Sequence, residues 1–290
     1  KMSKSLGNVV YPQAVIQQFG ADILRLWVAS ADYKADIRIS NDILKQLAEV
    51  YRKIRNTFRY MLGNIYDFNP ATDRVPYEQL PEIDRWALLR LEQVRERVTK
   101  AYEEYEFHLL YHTIHNFCTI DLSAIYLDIL KDRLYTSVPD SPERRAAQTV
   151  MYEILMTLVV LVAPVLTFTA EEVWQHLPQV PDKPESVQLA SWPSPRPEYL
   201  DPALEAKWDG ILAMRSEILK ALEVARRNKV IGHSLDARVE IYASGEQYER
   251  LAAVRDDLAT ILIVSQVNLL PDAAAAPADA IHAQDLPLAV

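Results

Sequence analysis

The feature that most constrains the fold is a run of apolar residues at helical spacing between residues 41 and 68. The repeat consists of Ile43, Leu47, Val50, Ile54, Phe58, Met61 and Ile65. Residues three or four apart share one face of an α-helix, so the run predicts a long helix with one buried stripe. Asn41 is the predicted N-cap of this helix. A helix of this kind must pack its stripe against other elements.

Further helices are predicted at about 84–105, 107–135 and 142–162, with prolines at 139, 142 and 164 breaking the pattern. Thr169 and Glu172 have the spacing of a capping box at the start of a short fifth helix. Long helices joined by short connections favour an antiparallel helical bundle. We therefore expect a mainly α fold.

The first 40 residues contain signals for helix starts and ends. Pro12 suits a first helical turn, Gly20 is placed to close that helix, and Asp22 is placed to cap the next one. We expect two short helices between the N-terminal residues and the long helix that follows.

A proline-rich stretch between residues 178 and 202 marks a linker, and we place a domain boundary near residue 200. A helix is predicted at about 203–228, followed by alternating apolar and polar residues at 235–243, typical of a half-buried strand. The chain beyond residue 200 therefore predicts a small α/β region.

The remainder of that region is predicted to contain a helix at about 246–258 and an apolar strand near 261–264. The tail from Pro271 is rich in Ala, Pro and Asp, so we expect it to be poorly ordered, although residues 286–290 could dock.

Composition narrows the classes of function. The 290 residues are 50% hydrophobic, and the formal net charge of −9 argues against indiscriminate affinity for nucleic acid. The single cysteine, Cys118, excludes internal disulfides and fits a reducing cytosol. We find no uninterrupted apolar stretch long enough to span a membrane.

The N-terminal residues Lys1-Met2-Ser3-Lys4-Ser5 place two ammonium groups three positions apart on a hydroxyl-rich stretch. Such groups suit the gripping of phosphate oxygens, and Gly7 lets the backbone bend. Ser3 and Ser5 add hydrogen-bond donors. By composition alone, a solvated surface turn is the commoner explanation of such a stretch.

The continuation of the chain decides between these interpretations, because Leu6–Pro12 and Gly20–Trp27 extend the pattern. The whole run resembles the KMSKS phosphate loop of class I aminoacyl-tRNA synthetases and the helical segment after it. Within that class, Asp32–Ser40 looks like the isoleucine enzymes. Further similar segments are Tyr51–Thr57, Phe117–Ser123, Tyr126–Tyr135, Ala163–Leu166, Phe168–Glu172 and Ile231–Leu235, so the resemblance covers residues 1 to about 240.

The resemblance implies a C-terminal fragment of a cytoplasmic, monomeric isoleucine–tRNA ligase without the nucleotide-binding fold, the editing domain or a terminal zinc knuckle. It implies a phosphate loop and stem-contact helices at 1–40, a helical anticodon-binding domain at 41–200 and a junction region at 201–290. Lys4 would bind ATP and stabilise the leaving pyrophosphate, with Lys1, Ser3 and Ser5 assisting. The complete enzyme would use isoleucine, isoleucine tRNA, and ATP with Mg²⁺.

Two groups of cations are candidates for contact with tRNA. Lys45, Arg52, Arg55 and Arg59 fall in one arc beside the apolar stripe, and Arg226, Arg227 and Lys229 end the 203–228 helix. The first group could equally be solvated charges with helical partners, and the second could complement the helix C-terminus. The family resemblance favours contacts with the tRNA backbone, which position the RNA but carry little sequence information.

One constellation argues for a metal instead. His108, His112 and His115 share a helical face, and Cys118 follows three residues later, at a spacing that could hold a metal. Cys118 lies toward the apolar arc, however, so we interpret it as a small core residue and assign no metal site to this chain. Trp86, Trp174 and Trp208 are predicted to pack in the core.

A second class of function stays open from sequence. The chain could be a freestanding helical RNA-binding or scaffold module descended from a synthetase. A reading frame with a nucleotide-binding fold upstream of Lys1 would favour the ligase, and a start codon at or near Met2 would favour the module.

Overall fold

The computed structural model describes residues 2–278, 280–283 and 288–290. The chain divides into two units, Lys1–Leu200 and Asp201–Val290. The described part of the first unit is built from helices α1 (Pro12–Phe19), α2 (Ala21–Ser30), α3 (Asn41–Asn64), α4 (Glu82–Glu103), α5 (Phe107–Asn116), α6 (Leu127–Ile129), α7 (Lys131–Thr136), α8 (Pro142–Val162) and α9 (Thr167–His176). Helix α8 packs on α3, α4, α7 and α9. The predicted mainly helical fold is confirmed.

Helix α8 forms the centre of the bundle. Its boundaries are those predicted from Pro142 and Pro164, and most of its residues are buried. By length and composition its most apolar window could cross a membrane, although Arg145, Gln148 and Glu153 interrupt the apolar run. Because 78% of that apolar window is buried inside the protein, the apolar character is that of a core helix.

Helix α3 buries most of the apolar stripe that its sequence predicts, although Ile43 and Val50 are only half-buried and the N-cap differs. Leu47, Ile54 and Phe58 are buried. The N-cap is Ser40 rather than Asn41, because the Ser40 hydroxyl accepts a hydrogen bond from the Ile43 N–H at 3.2 Å.

The helix predicted over 107–135 is interrupted. Residues Phe117–Tyr126 form a π-helical segment between α5 and α6. The Ser123 hydroxyl donates to the Cys118 carbonyl at 2.7 Å, and Thr57 of α3 lies 3.2 Å from the same hydroxyl. A π-helix shifts backbone bonding by one residue, which a 3.6-residue pattern does not reveal.

The predicted capping box of α9 is also wrong. The helix begins at Thr167, so Thr169 and Glu172 lie within it, and its N-cap residue Leu166 makes no side-chain capping bond. Asp22 of α2 supplies that bond from a distant part of the chain. Asp22 does not cap its own helix, whose N-cap is Gly20.

The second unit contains a small sheet flanked by helices. Its elements are α10 (Pro202–Arg227), β1 (Arg238–Ala243), α11 (Gly245–Ala252), α12 (Leu258–Leu262), β2 (Gln266–Pro271) and β3 (Leu288–Ala289). The strand order is β2-β1-β3, with β1 parallel to β2 and antiparallel to β3. Val239, Ile241 and Ala243 point inward along β1, as alternation predicts.

The strand predicted near 261–264 needs correction. The apolar residues at 261–264 do not form a strand. Ile261 belongs to α12, and Ile263 adopts a left-handed backbone conformation, with φ of 56°, that ends this helix. The parallel strand follows at Gln266 instead. In the tail, Leu288 and Ala289 dock on β1, whereas residues 284–287 lie outside the described residues.

One end of the bundle is fixed by a carboxylate between α3 and α8. Asp67 accepts two hydrogen bonds from the Arg144 guanidinium, at 2.7 and 3.0 Å, and a third from Gln148 at 2.7 Å. The side chain of Arg144 is only 8% exposed. The bond from Arg144 holds the pKa of Asp67 below its ordinary value of 3.8.

We predict that Asp67→Asn destabilises the fold by about 3–5 kcal/mol near neutral pH, because it leaves the Arg144 charge buried without its partner. The folded-state pKa of Asp67 is depressed, so its stabilising contribution is present above 3.8 and disappears as pH falls through the folded value. Denaturant unfolding between pH 3 and 7 measures this difference. The exposed Asp140 on the same corner gives a matched control, Asp140→Asn, and equal effects of the two substitutions would contradict the prediction.

Candidate phosphate loop and nucleic-acid interface

The N-terminal loop forms a closed turn that presents Lys4. Residues Lys4–Leu6 make one turn of 3₁₀-helix, and Gly7 ends it in the left-handed conformation with φ of 64°. Lys4 and Ser5 are exposed, whereas Ser3 is half-buried. The ammonium group of Lys4 is therefore accessible to a phosphate. Lys1 lies outside the described residues.

The serines of the loop are partly engaged within it. The Ser3 hydroxyl accepts from the Leu6 N–H and lies 2.8 Å from the Ser5 hydroxyl. The Ser3 N–H donates to the Asn8 side chain at 2.9 Å. Sequence reasoning missed the role of Asn8, although an Asn after a Gly turn is a recognised turn-forming signal. These bonds define the turn before any ligand binds.

The four cations predicted on α3 lie on one side of the helix but differ in their partners. Arg52 pairs with Glu49 at 2.8 Å, and Arg55 pairs with Glu172 of α9 at 3.1 Å. Lys45 and Arg59 are exposed and form no ion pair with the described acidic residues. We call these four cations the α3 stripe, as distinct from the buried apolar stripe of the same helix. Of these four cations, Lys45 and Arg59 are therefore free to bind an anion.

The second cluster lies in the other unit, at the end of α10. Arg226 pairs with Glu223 at 3.2 Å, while Arg227 and Lys229 are exposed. Lys229 is left-handed with φ of 59°, and its N–H donates to the Arg226 carbonyl as the helix closes. This position suits the stabilisation of a helix C-terminus by cations as well as contact with RNA.

The histidine face of α5 forms an aromatic cluster. The ring of Tyr111 stacks on His115 at 6.1 Å between centroids and meets His112 edge-on at 4.9 Å. Burial, with Lys53 and His112 nearby, lowers the pKa of His115. Cys118 is buried, and burial raises the pKa of its thiol to about 12, so the thiolate that a metal requires is disfavoured.

Helix α2 carries two side chains, Asp22 and Arg25, whose partners the sequence analysis did not predict. The Asp22 carboxylate accepts from the backbone N–H groups of Phe168 and Thr169 at the start of α9, at 3.2 and 2.8 Å. The Arg25 guanidinium donates to the carbonyls of Val165 and Pro164, at 3.0 and 2.6 Å. These partners lie about 140 positions along the chain, so no local signal predicts them.

Two models of protein families match this chain. The model of the anticodon-binding domain of tRNA ligases matches residues 84–241, and the model of class I tRNA synthetases (I, L, M and V) matches residues 1–40. Among solved structures, the ternary complex of the agnB2 LeuRS of Agrobacterium radiobacter K84 with tRNA and LeuAMS is similar in fold. Its TM-score is 0.52 at 22% identity, covering 69% of this chain and 23% of that chain.

Curated relatives are more similar in sequence. The isoleucine–tRNA ligase of Desulforamulus reducens is 58% identical over 290 residues, and that of Brevibacillus brevis is 57% identical over 288 residues. These alignments cover 100% and 99% of this chain, and the chain spans 31% of the length of either relative. The chain therefore belongs to the tRNA ligase family that carries this anticodon-binding domain, and these two relatives within it are isoleucine–tRNA ligases.

Proposed function

We propose that this chain is the tRNA-recognition part of an ATP-dependent ligase that joins isoleucine to its tRNA through an aminoacyl-adenylate. The observation that carries the proposal is the presence, in one unit, of a phosphate loop with an exposed Lys4 and a helical bundle with unpaired cations on α3. The relatives named isoleucine–tRNA ligase support the choice of amino acid.

Three regions divide the work in this proposal. Residues 1–40 bring the phosphate loop and two helices toward the catalytic site, residues 41–200 bind tRNA, and residues 201–290 form a junction that adds a second basic cluster. The matches of the family models to 1–40 and 84–241 support the first two roles. We further propose that the enzyme is a monomer of the cytosol, where Cys118 stays reduced.

Activation is the step to which the loop would contribute. A carboxylate oxygen of isoleucine attacks the α-phosphorus of ATP, a bond to that oxygen forms, and the bond to the leaving pyrophosphate breaks. Negative charge grows on the pyrophosphate in the transition state. The Lys4 ammonium, aided by Lys1, Ser3 and Ser5, would stabilise that charge more in the transition state than in the ground state.

We propose that Mg²⁺ accompanies ATP in the complete enzyme. Among the residues that the structure describes, no three His, Cys, Asp or Glu side chains come together in a group that could hold a metal ion. The ion that accompanies ATP would be bound by phosphate oxygens and by residues elsewhere in the ligase.

Recognition of tRNA would begin with its backbone. Lys45 and Arg59 would contact phosphates directly, while Arg52 and Arg55 would first have to share their charge with Glu49 and Glu172. With a net charge of −9, most of the surface repels RNA, so the unpaired cations would set the orientation of the bound tRNA. Arg226, Arg227 and Lys229 would supply separate cationic contacts from the second unit.

We predict that Lys4→Ala in the complete ligase slows isoleucine-dependent pyrophosphate exchange by about 10²–10³-fold, because one electrostatic contact with the transition state is lost. The affinity for isoleucine should change little. The control is Lys100→Ala, which removes an exposed lysine of α4. Equal losses in rate and isoleucine affinity would mean that Lys4 serves the ground state only.

The isolated 290-residue chain should not catalyse this exchange, because we place the amino-acid pocket outside it. Turnover above background by the purified chain would contradict the assignment of catalysis to another part of the ligase.

We predict that Arg59→Gln and Lys45→Gln each weaken tRNA binding and reduce the log–log salt slope by about 0.7–0.9, because each change removes one phosphate contact. Cognate and non-cognate tRNA should be affected alike. Stability should change by only about 0–1 kcal/mol, since both side chains are exposed. Affinity at several salt concentrations and a thermal melt give these quantities.

The matched control is Arg97→Gln, an exposed arginine on α4 outside the α3 stripe. An unchanged slope in both test variants would move the RNA surface away from α3. A changed slope in Arg227→Gln would then assign that surface to the end of α10.

A further inference from the structure

We propose that Asp22 is a positioning residue that fixes the phosphate-loop segment to the tRNA-binding bundle, so that tRNA held by α3 is oriented for aminoacylation. The inference rests on the proposed function and goes beyond it, because it assigns a role to a carboxylate that the chemistry of activation does not use. Asp22 is 7% exposed, although a free carboxylate on α2 would otherwise favour water.

The contacts of Asp22 are those of an N-cap supplied from another helix. Its Oδ1 accepts from the Phe168 N–H, and its Oδ2 accepts from both the Thr169 N–H and the Thr169 hydroxyl, at 2.8 and 2.6 Å. The cap residue of α9 itself, Leu166, makes no such bond. A carboxylate at this position satisfies open N–H groups and interacts favourably with the helix dipole.

Arg25 makes a second set of contacts with the bundle from the same face of α2. It lies three residues after Asp22, and it donates to the carbonyls of Pro164 and Val165 in the corner between α8 and α9. Asp22 thus accepts hydrogen bonds from backbone N–H groups, and Arg25 donates to backbone carbonyls, at the same corner. Two contacts of opposite polarity determine the orientation of α2 on the bundle as well as its distance.

Two side-chain contacts connect the corner to helix α3, and one of them involves the α3 stripe. The Tyr51 hydroxyl lies 2.9 Å from the Thr169 hydroxyl. Because the single hydroxyl hydrogen of Thr169 goes to Asp22, Tyr51 is the donor in this pair. One turn later, Glu172 of α9 pairs with Arg55 of the α3 stripe. The surface that would hold tRNA is therefore bonded to the same helix that Asp22 caps.

On its other side, Asp22 is connected to the phosphate loop through α1. Gly20 separates α1 from α2 with a φ of 91°, and its N–H donates to the Ile16 carbonyl at 2.9 Å. Val15 of α1 and Ile23 of α2 are buried. The two helices therefore carry the loop, and the position of α2 on the bundle sets where the loop stands relative to α3.

The consequence is a separation between binding and catalysis. Loosening the corner should leave the cations of α3 able to bind tRNA, because they remain on their own helix. It should impair the transfer of isoleucine, because the RNA and the phosphate loop would no longer be held in one arrangement. Small misplacements of this kind reduce rates strongly, by up to about 100-fold.

The test is Asp22→Asn in the complete ligase, a substitution that keeps the shape of the side chain but removes its charge and one acceptor. We expect the kcat for aminoacylation to fall about 10- to 100-fold, while the Kd for tRNA stays near the wild-type value and pyrophosphate exchange falls less. Thr169→Val removes the hydroxyl that contacts Asp22 and Tyr51 but keeps the backbone bonds from Phe168 and Thr169 to Asp22, so it should give a smaller fall of the same kind.

Asp42→Asn is the matched control, since Asp42 is an exposed carboxylate in the first turn of α3. It should leave all three readouts unchanged. If Asp22→Asn proves too unstable to purify, the same split between kcat and Kd is tested on Thr169→Val.

Two outcomes would overturn the inference: a wild-type kcat in a folded Asp22 variant, or equal losses in tRNA affinity, exchange and aminoacylation, which would indicate a purely structural role. The proposed function is tested separately by the wild-type ligase. Absence of isoleucine-dependent exchange in the wild type would reject the function itself, whereas an active wild type with no effect of Asp22→Asn would reject only the positioning role.

Discussion

The burial of α8 is the constraint on which the first unit depends. A helix that is apolar on nearly all sides can exist in water only if other helices cover it, and α3, α4, α7 and α9 provide that cover. Each end of α8 is then fixed by charge. The Asp67–Arg144 pair holds the beginning of the helix, and Asp22 with Arg25 holds the corner after it. The outer faces of the bundle are left available for binding.

Ion pairing decides which of the surface cations are available. The protein is acidic as a whole, and half of the α3 stripe is engaged by Glu49 and Glu172. Lys45 and Arg59 are left free among the described residues of the stripe. A polyanion would gain most of its contact energy where no carboxylate competes, so the positions of the acidic partners restrict where RNA can bind.

Local patterns predicted the helices well where proline or a strong apolar repeat set the boundaries. Helix α8 starts and ends where Pro142 and Pro164 require, and β1 shows the inward alternation of its sequence. The strand predicted at 261–264 failed because a short apolar run has no period that distinguishes strand from helix. Its left-handed Ile263 ended a helix instead.

The candidate site was predictable only in its residue types. The KMSKS resemblance identified Lys4, and helical spacing identified the α3 stripe, but neither could indicate which cations are paired across the fold. Arg55 meets Glu172 across 117 positions of the chain, and Asp22 caps a helix that begins 145 residues after it. Such contacts arise from tertiary packing, so a local motif such as the Thr169–Glu172 spacing was assigned to the wrong cap.

The most direct test of the account is lysine footprinting of the chain with and without isoleucine tRNA. Acetylation followed by mass spectrometry would compare Lys45 of the α3 stripe with the exposed Lys100 of α4. The account predicts that bound tRNA protects Lys45 and leaves Lys100 as reactive as before. Equal labelling of Lys45 in the free and tRNA-bound states, under conditions where a gel shift demonstrates binding, would contradict it.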